Sequence, residues 1–121
     1  MLQMKSFLRK TARMAAWILA ATIVALSLVP PSLRPETDVP HDLEHFAIFF
    51  ATGVAFGIGY TRQPVLVSVS LVIFSGAIEL AQMLVPGRHA RLSDFIVDTL
   101  AVCVGLAIST FFVSRTLEQS V

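Results

Sequence analysis

Apolar residues gather into four blocks, Met14 to Val29, Phe46 to Tyr60, Val65 to Val85 and Phe95 to Val113, separated by short stretches rich in charge and proline. A helix crossing a hydrocarbon layer of roughly 30 Å needs about 20 predominantly apolar residues, with a lower limit near 17. Each block meets that length or reaches it by borrowing flanking residues, the second only by recruiting Leu43 to His45. The pattern predicts an all-α membrane protein, a bundle of four transmembrane helices over residues 12–29, 42–60, 64–85 and 94–114. Prolines punctuate it. Pro30 and Pro31 end the first helix, because proline lacks an amide proton and disfavours helical geometry in the residue before it. The second begins at His41 or Asp42, with acids in its first turn where they complement the helix dipole. Pro64 suits the first turn of the third, and Pro86-Gly87 should end it. Gly53 and Gly57 form a small-xxx-small pair, which lets another helix approach closely.

Composition agrees with the pattern. Hydrophobic residues make up 55% of 121 and charged ones 14%, against roughly 25% charged in an average soluble domain. Four short spans with brief connectors leave no room for a second core, so residues 1–121 form one domain embedded in membrane lipid. A nucleic-acid partner is not expected, nor is a cofactor. Cys103 is the sole cysteine, which rules out an internal disulfide and reads as a packed thiol.

The formal charge of +1 says little as a total, but its distribution sets the orientation. Lys5, Arg9, Lys10, Arg13, Arg62 and Arg115 flank the blocks on one side, and Arg34, Arg88 and Arg91 on the other. Cytoplasmic connectors are enriched in Lys and Arg, so both termini should be cytoplasmic. A cleaved signal peptide has the same basic-then-apolar layout. The first block, however, ends in Val29, Pro30 and Pro31 rather than in a small-x-small cleavage site, which favours a retained helix.

Polar residues interrupt this scheme at one leaflet. Glu79 and Gln82 lie near the outer end of helix three, with Glu79 roughly 9 Å inside that end if the helix runs to Val85. Arg88, His89, Arg91 and Asp94 form the outer connector, Asp98 lies one turn into helix four, and Asp42, Glu44 and His45 open helix two. Ser75, Glu79 and Gln82 share one face of helix three, as Asp94, Asp98, Ala101 and Gly105 share one of helix four. Those two faces are expected to meet. Five acids against two arginines leave three excess negatives, to be offset by proton uptake, a histidinium, a bound cation or water. Glu79 or Asp98 is the expected proton carrier, and Arg88 or Arg91 the expected inward-folding partner.

Ionisable residues inside a membrane are costly and usually face a partner or a water-filled cavity. A buried network of this kind can instead simply lock helices three and four together. His41-Asp42-Leu43-Glu44-His45 also fits the H-x-x-E-H pattern of inverted zinc peptidases. Five residues are a weak signal, and histidines at a membrane interface are more often hydrogen-bonded or wet, so no metal is assigned.

Glu79-x-x-Gln82, then Pro86-Gly87-Arg88-His89 and Asp94, match in order and spacing the E-x-x-Q, R and D pattern of the VanZ-like family, which this chain resembles. Leu43-Glu44-His45-Phe46 resembles that family's histidine motif at the start of the second helix. Some positions differ. His41 and Asp42 stand where the family commonly has an Asp-Lys pair, Asp98 where it has asparagine, and Ala101 where it has glycine. The resemblance implies a small multi-helix protein of the bacterial inner membrane. The family's namesake is associated with resistance to teicoplanin, and the resemblance supplies no activity for this chain.

The leading expectation is an outward-facing polar pocket that binds an envelope component, lipid-linked or amphipathic. Glu79, Gln82, Arg88, Asp94 and Asp98 would form it, with His45 at its rim. Arg88 can take a phosphate or carboxylate through its planar fork of donors. An alternative is a membrane enzyme in which one carboxyl acts as general acid or base on an envelope lipid intermediate. A further alternative is a structural subunit, a homo-oligomer or the partner of another membrane protein, in which Gly53 and Gly57 recruit a second helix.

Overall fold

The computed structural model describes residues 2–28, 41–84 and 92–119, with side chains at 3–28, 43–84 and 92–115. The described residues form four helices: α1 (Leu2–Leu28), α2 (His41–Gly59), α3 (Pro64–Gln82) and α4 (Leu92–Gln119). Three of them, α1, α3 and α4, are long and apolar enough to cross a membrane, while the apolar stretch of α2, Leu43–Gly59, is shorter. The shortness matches the block that had to borrow residues.

The bundle is inside-out by the standards of a water-soluble protein. Trp17, Ile18, Val65, Leu66, Ile73, Leu80, Phe111 and Phe112 face outward, while Thr52, Ser75, Glu79 and Asp98 are buried. Contiguous apolar surface on this scale is not sustained in water, and it is what a lipid surround requires. The molecule is an integral membrane protein.

Three helix boundaries differ from the sequence expectation. α1 starts at Leu2 rather than near residue 12, because Leu2 to Arg13 is rich in Leu, Met, Lys, Arg and Ala and contains no glycine or proline to stop it. α4 likewise runs on to Gln119. Hydrophobicity marks where lipid ends, not where a helix must. α3 stops at Gln82, not Val85; the Met83 and Leu84 amides turn back to the Leu80 and Ala81 carbonyls at 3.2 and 3.1 Å. Such i to i−3 bonds tighten a last turn, and Pro86 prevents its continuation.

α2 and α4 run in the same direction and pack against each other more than any other pair. Their seam has backbone against backbone. A Cβ on Gly53 would stand 2.5 Å from the Val102 carbonyl oxygen, and one on Gly105 would strike the Phe50 carbonyl and lie 3.0 Å from the Val54 amide. Gly57 similarly faces the Ser109 hydroxyl. The Gly53 and Gly57 pair is therefore used inside the chain, and the idea that it recruits a second molecule is corrected: α4 already fills the approach that the absent side chains permit. The α4 face carrying Asp98 and Gly105 also turns to α2. α3 instead meets α4 through side chains: a Cβ on Gly76 would lie 3.4 Å from the Phe95 ring.

α1 packs antiparallel to α2 through Ala16, Ala20 and Ile23. At one end the Arg13 Nε donates to the Gly59 carbonyl at 2.7 Å, one of the acceptors that the end of α2 leaves unsatisfied. The same guanidinium lies 4.6 Å from the Tyr60 ring centroid. Trp17 Nε1 donates to the Tyr60 hydroxyl at 2.9 Å and packs edge-on against Phe56. Aromatic and basic residues of this kind mark a membrane interface. Tyr60→Phe should lower stability by no more than about 1 kcal/mol, since Trp17 is 60% exposed. Emission from Trp17, the sole tryptophan, should nevertheless shift. An unchanged spectrum would mean that this hydrogen bond does not form in the membrane.

Charge separates along the bundle axis. Lys5, Arg9, Lys10, Arg13, Arg62 and Arg115 lie at the Tyr60 end, and every acid whose side chain is described, Glu44, Glu79, Asp94 and Asp98, lies toward the other. Among the described side chains, the two ends carry opposite charge.

Candidate functional site

Among the acids whose side chains are described, Asp98 is the most deeply placed, 1% exposed. It lies six residues into α4, about 9 Å from the start of that helix at 1.5 Å per residue. From α2, His45 reaches across the seam so that its Nδ1 and the Asp98 Oδ1 are 3.1 Å apart, both side chains buried. An ionised carboxylate only accepts, so with Asp98 charged the Nδ1 carries the hydrogen and the ring tautomer is fixed. The His45 ring is also stacked on Phe49, its neighbour one turn deeper, with centroids 6.2 Å apart. One rotamer thus serves both packing and pairing.

The pairing differs from the expected arrangement in two ways. His45 belongs to the buried cluster rather than to its rim, and Asp98 is turned to α2 rather than to α3. Helix direction explains both. α2 and α4 run the same way, His45 precedes Gly53 by eight residues, and Asp98 precedes Gly105 by seven. The glycine contacts that set the seam therefore bring the two polar residues level. That near-equal spacing was a signal available in the sequence.

α3 contributes Ser75, Glu79 and Gln82, all buried on its inward stripe with Val67, Leu71 and Ile78. Ser75 Oγ donates to the Leu71 carbonyl at 3.0 Å, so its hydroxyl is satisfied within the helix. Because α3 ends at Gln82, Glu79 is only three residues from the helix end, about 4.5 Å rather than 9 Å. Side chains tilt toward the N-terminus of their own helix. α3 approaches this end of the bundle and α4 leaves it, so Glu79 leans inward and Asp98 leans outward, which narrows their separation along the axis. Glu79 and Gln82 are both engaged within the protein.

Asp94 sits in the first turn of α4, partly exposed, where a carboxylate complements the helix dipole. Next to Asp98, the buried Thr99 Oγ1 has no protein partner. Arg88, together with His89 and Arg91, lies outside the described residues, as does the side chain of Asp42. Among the described residues, no three His, Cys, Asp or Glu side chains come together in a way that would hold a metal ion. Cys103, expected to be packed, is exposed on the outer surface of α4, because α4 turns its Val102, Leu106 and Ser109 face to the core instead.

Chemically, the cluster offers a histidine oriented by a carboxylate, a second buried carboxyl and an amide, all toward one end of the bundle. No curated protein and no solved structure matches the chain. The sequence model of the VanZ/LLP1 family matches residues 3–113, an interval that takes in all four helices and both the E-x-x-Q and histidine motifs. With that match over nearly its full length, the chain belongs to the VanZ/LLP1 family.

Proposed function

We propose that this protein spans the bacterial inner membrane with both termini cytoplasmic, and that its acidic end faces outward and binds an envelope component, lipid-linked or amphipathic. Glu79, Gln82, Asp94 and Asp98 contact the ligand, Arg88 takes its anionic group, and His45 holds Asp98 in position. The excess of cations at the Tyr60 end supports this orientation. A single observation carries the binding reading: Asp98, 1% exposed and paired with His45, lies on the same end as buried Glu79 and Gln82. Apolar residues of similar volume hold helices together at no greater cost than a buried ion pair.

Lipid extracted with the purified protein tests the reading. Glu79→Gln should lose one co-purifying molecule selectively and keep the bulk phospholipids. Identical extracts from wild type and variant, both folded by circular dichroism, would remove the basis for a ligand at this end.

A second reading rests on the hydrogen bond between His45 and Asp98. A carboxylate that fixes a histidine tautomer is an arrangement used for general acid and base catalysis. On an envelope lipid intermediate, Asp98→Asn would then abolish turnover while leaving the fold intact. Unaltered turnover in that variant would exclude the pair from the chemistry.

A further inference from the structure

α3 and α4 leave a space between them in the half of the bundle nearer the Tyr60 end. A groove of about 410 Å³ opens between them, lined by Ser68, Cys103, Leu106, Ala107, Thr110 and Phe111, within the range of roughly 300–1,000 Å³ typical of small-ligand sites. Ser68, Leu106 and Thr110 also border a small adjoining cavity that extends to Thr61 and Pro64. The groove exists because Ser68, Cys103 and Ala107 are too small to fill the space between the helices. The Ser68 hydroxyl donates to the Pro64 carbonyl at 2.7 Å, so it asks nothing of an occupant, and Leu106, Ala107 and Phe111 make an apolar wall.

Two cations lie near this space, both at the Tyr60 end. Arg62 lies between Thr61 and Pro64 and is exposed. Arg115 is one turn beyond Phe111, with its Cζ 4.6 Å from the centroid of that ring. Its guanidinium is thereby kept beside the groove. Among the described side chains, no acid lies at this end. An apolar groove within the hydrocarbon, next to guanidinium groups at the interface that no described acid side chain opposes, is complementary to a molecule with an acyl chain and an anionic head. A second copy of this chain docked symmetrically there would bring its own Arg62 and Arg115 against the same cations. A zwitterionic lipid would offset part of the phosphate charge that the arginines attract.

We infer that this groove is a specific site for an anionic phospholipid, one acyl chain lying between α3 and α4 and the phosphodiester held by Arg62 and Arg115. Basic pockets between membrane helices bind anionic head groups in this manner. The site is separate from the outward cluster, and the inference does not depend on the proposed ligand there.

Native mass spectrometry of the full chain in detergent tests it, with phosphatidylglycerol and phosphatidylcholine of identical acyl chains supplied in equal amounts. Wild type should retain one phosphatidylglycerol with about tenfold preference. Arg62→Gln with Arg115→Gln should bring the ratio near one, whereas the two lysine replacements should keep most of it. Ala107→Phe should reduce retention of either lipid by filling the groove; if it fails to fold, Ser68→Leu obstructs the groove from α3. Lys5→Gln with Arg9→Gln and Lys10→Gln should leave the preference intact. Equal retention by wild type, a preference that survives loss of both arginines, or retention indifferent to a folded obstructing variant would each overturn the inference. So would cross-linking through Cys103 into a dimer that excludes lipid.

Discussion

Asp98→Ala is expected to destabilise the folded bundle by about 1–3 kcal/mol, the usual cost of leaving a buried donor without its acceptor. The variant would leave His45 desolvated opposite an empty space, 53 residues away in sequence and on the most tightly packed helix seam. Asp98→Asn should cost much less, since its amide oxygen can still accept from Nδ1. The double variant His45→Phe/Asp98→Leu should recover part of the loss, because an apolar pair needs no hydrogen bond across the seam, although the further interaction of His45 is given up. Reversible unfolding in mixed micelles, run as a double-mutant cycle, measures all three. Neutral hydrogen bonds between membrane helices average about 0.6 kcal/mol and reach about 1.7. A loss above about 3 kcal/mol for Asp98→Ala would therefore identify a charged pair, and no loss would mean that the two side chains do not meet.

Gly105→Leu should abolish the native fold, and Gly105→Ala should already cost about 1–3 kcal/mol or more from overpacking. The reason is the identity of the neighbours. A new Cβ there meets the Phe50 carbonyl and the Val54 amide, backbone atoms that cannot turn aside. Gly76→Ala is the comparison, for its Cβ would touch only the Phe95 ring at an ordinary 3.4 Å, and alanine favours a helix by up to about 1 kcal/mol. It should be neutral or stabilising. Thermal denaturation monitored by helical ellipticity distinguishes the two, and equal midpoints for Gly105→Ala and wild type would refute the backbone seam.

Much of this was legible beforehand. The four apolar blocks gave four helices in order, since hydrophobic length is a strong constraint when lipid is the solvent. Ser75, Glu79 and Gln82 fell on one buried face because helical period alone fixes that grouping. The partners of those faces were less accessible. Gly53 and Gly57 advertise close approach without saying to what, and a partner outside the chain explained them equally well. His45 seemed a rim residue because it lies near a helix start, yet its depth is set by α4 crossing beside it. Cys103 seemed packed because its sequence neighbours are apolar. Around a membrane helix, however, apolar neighbours describe the lipid face as well as the core. The α1 and α4 extensions were hidden for a related reason: helix propensity continues after hydrophobicity stops.

Where carbonyl meets Cα with no intervening side chains, as between Gly53 and Val102, there is no soft layer to absorb sliding. α2 and α4 consequently behave as one rigid spine, and whatever play the molecule has belongs to its outer members. Along α3, which borders that spine through deformable rings and aliphatic groups, lie buried Glu79 toward one end and Ser68 on the groove toward the other. A tilt of this single rod would reshape the groove and displace Glu79 in the same stroke.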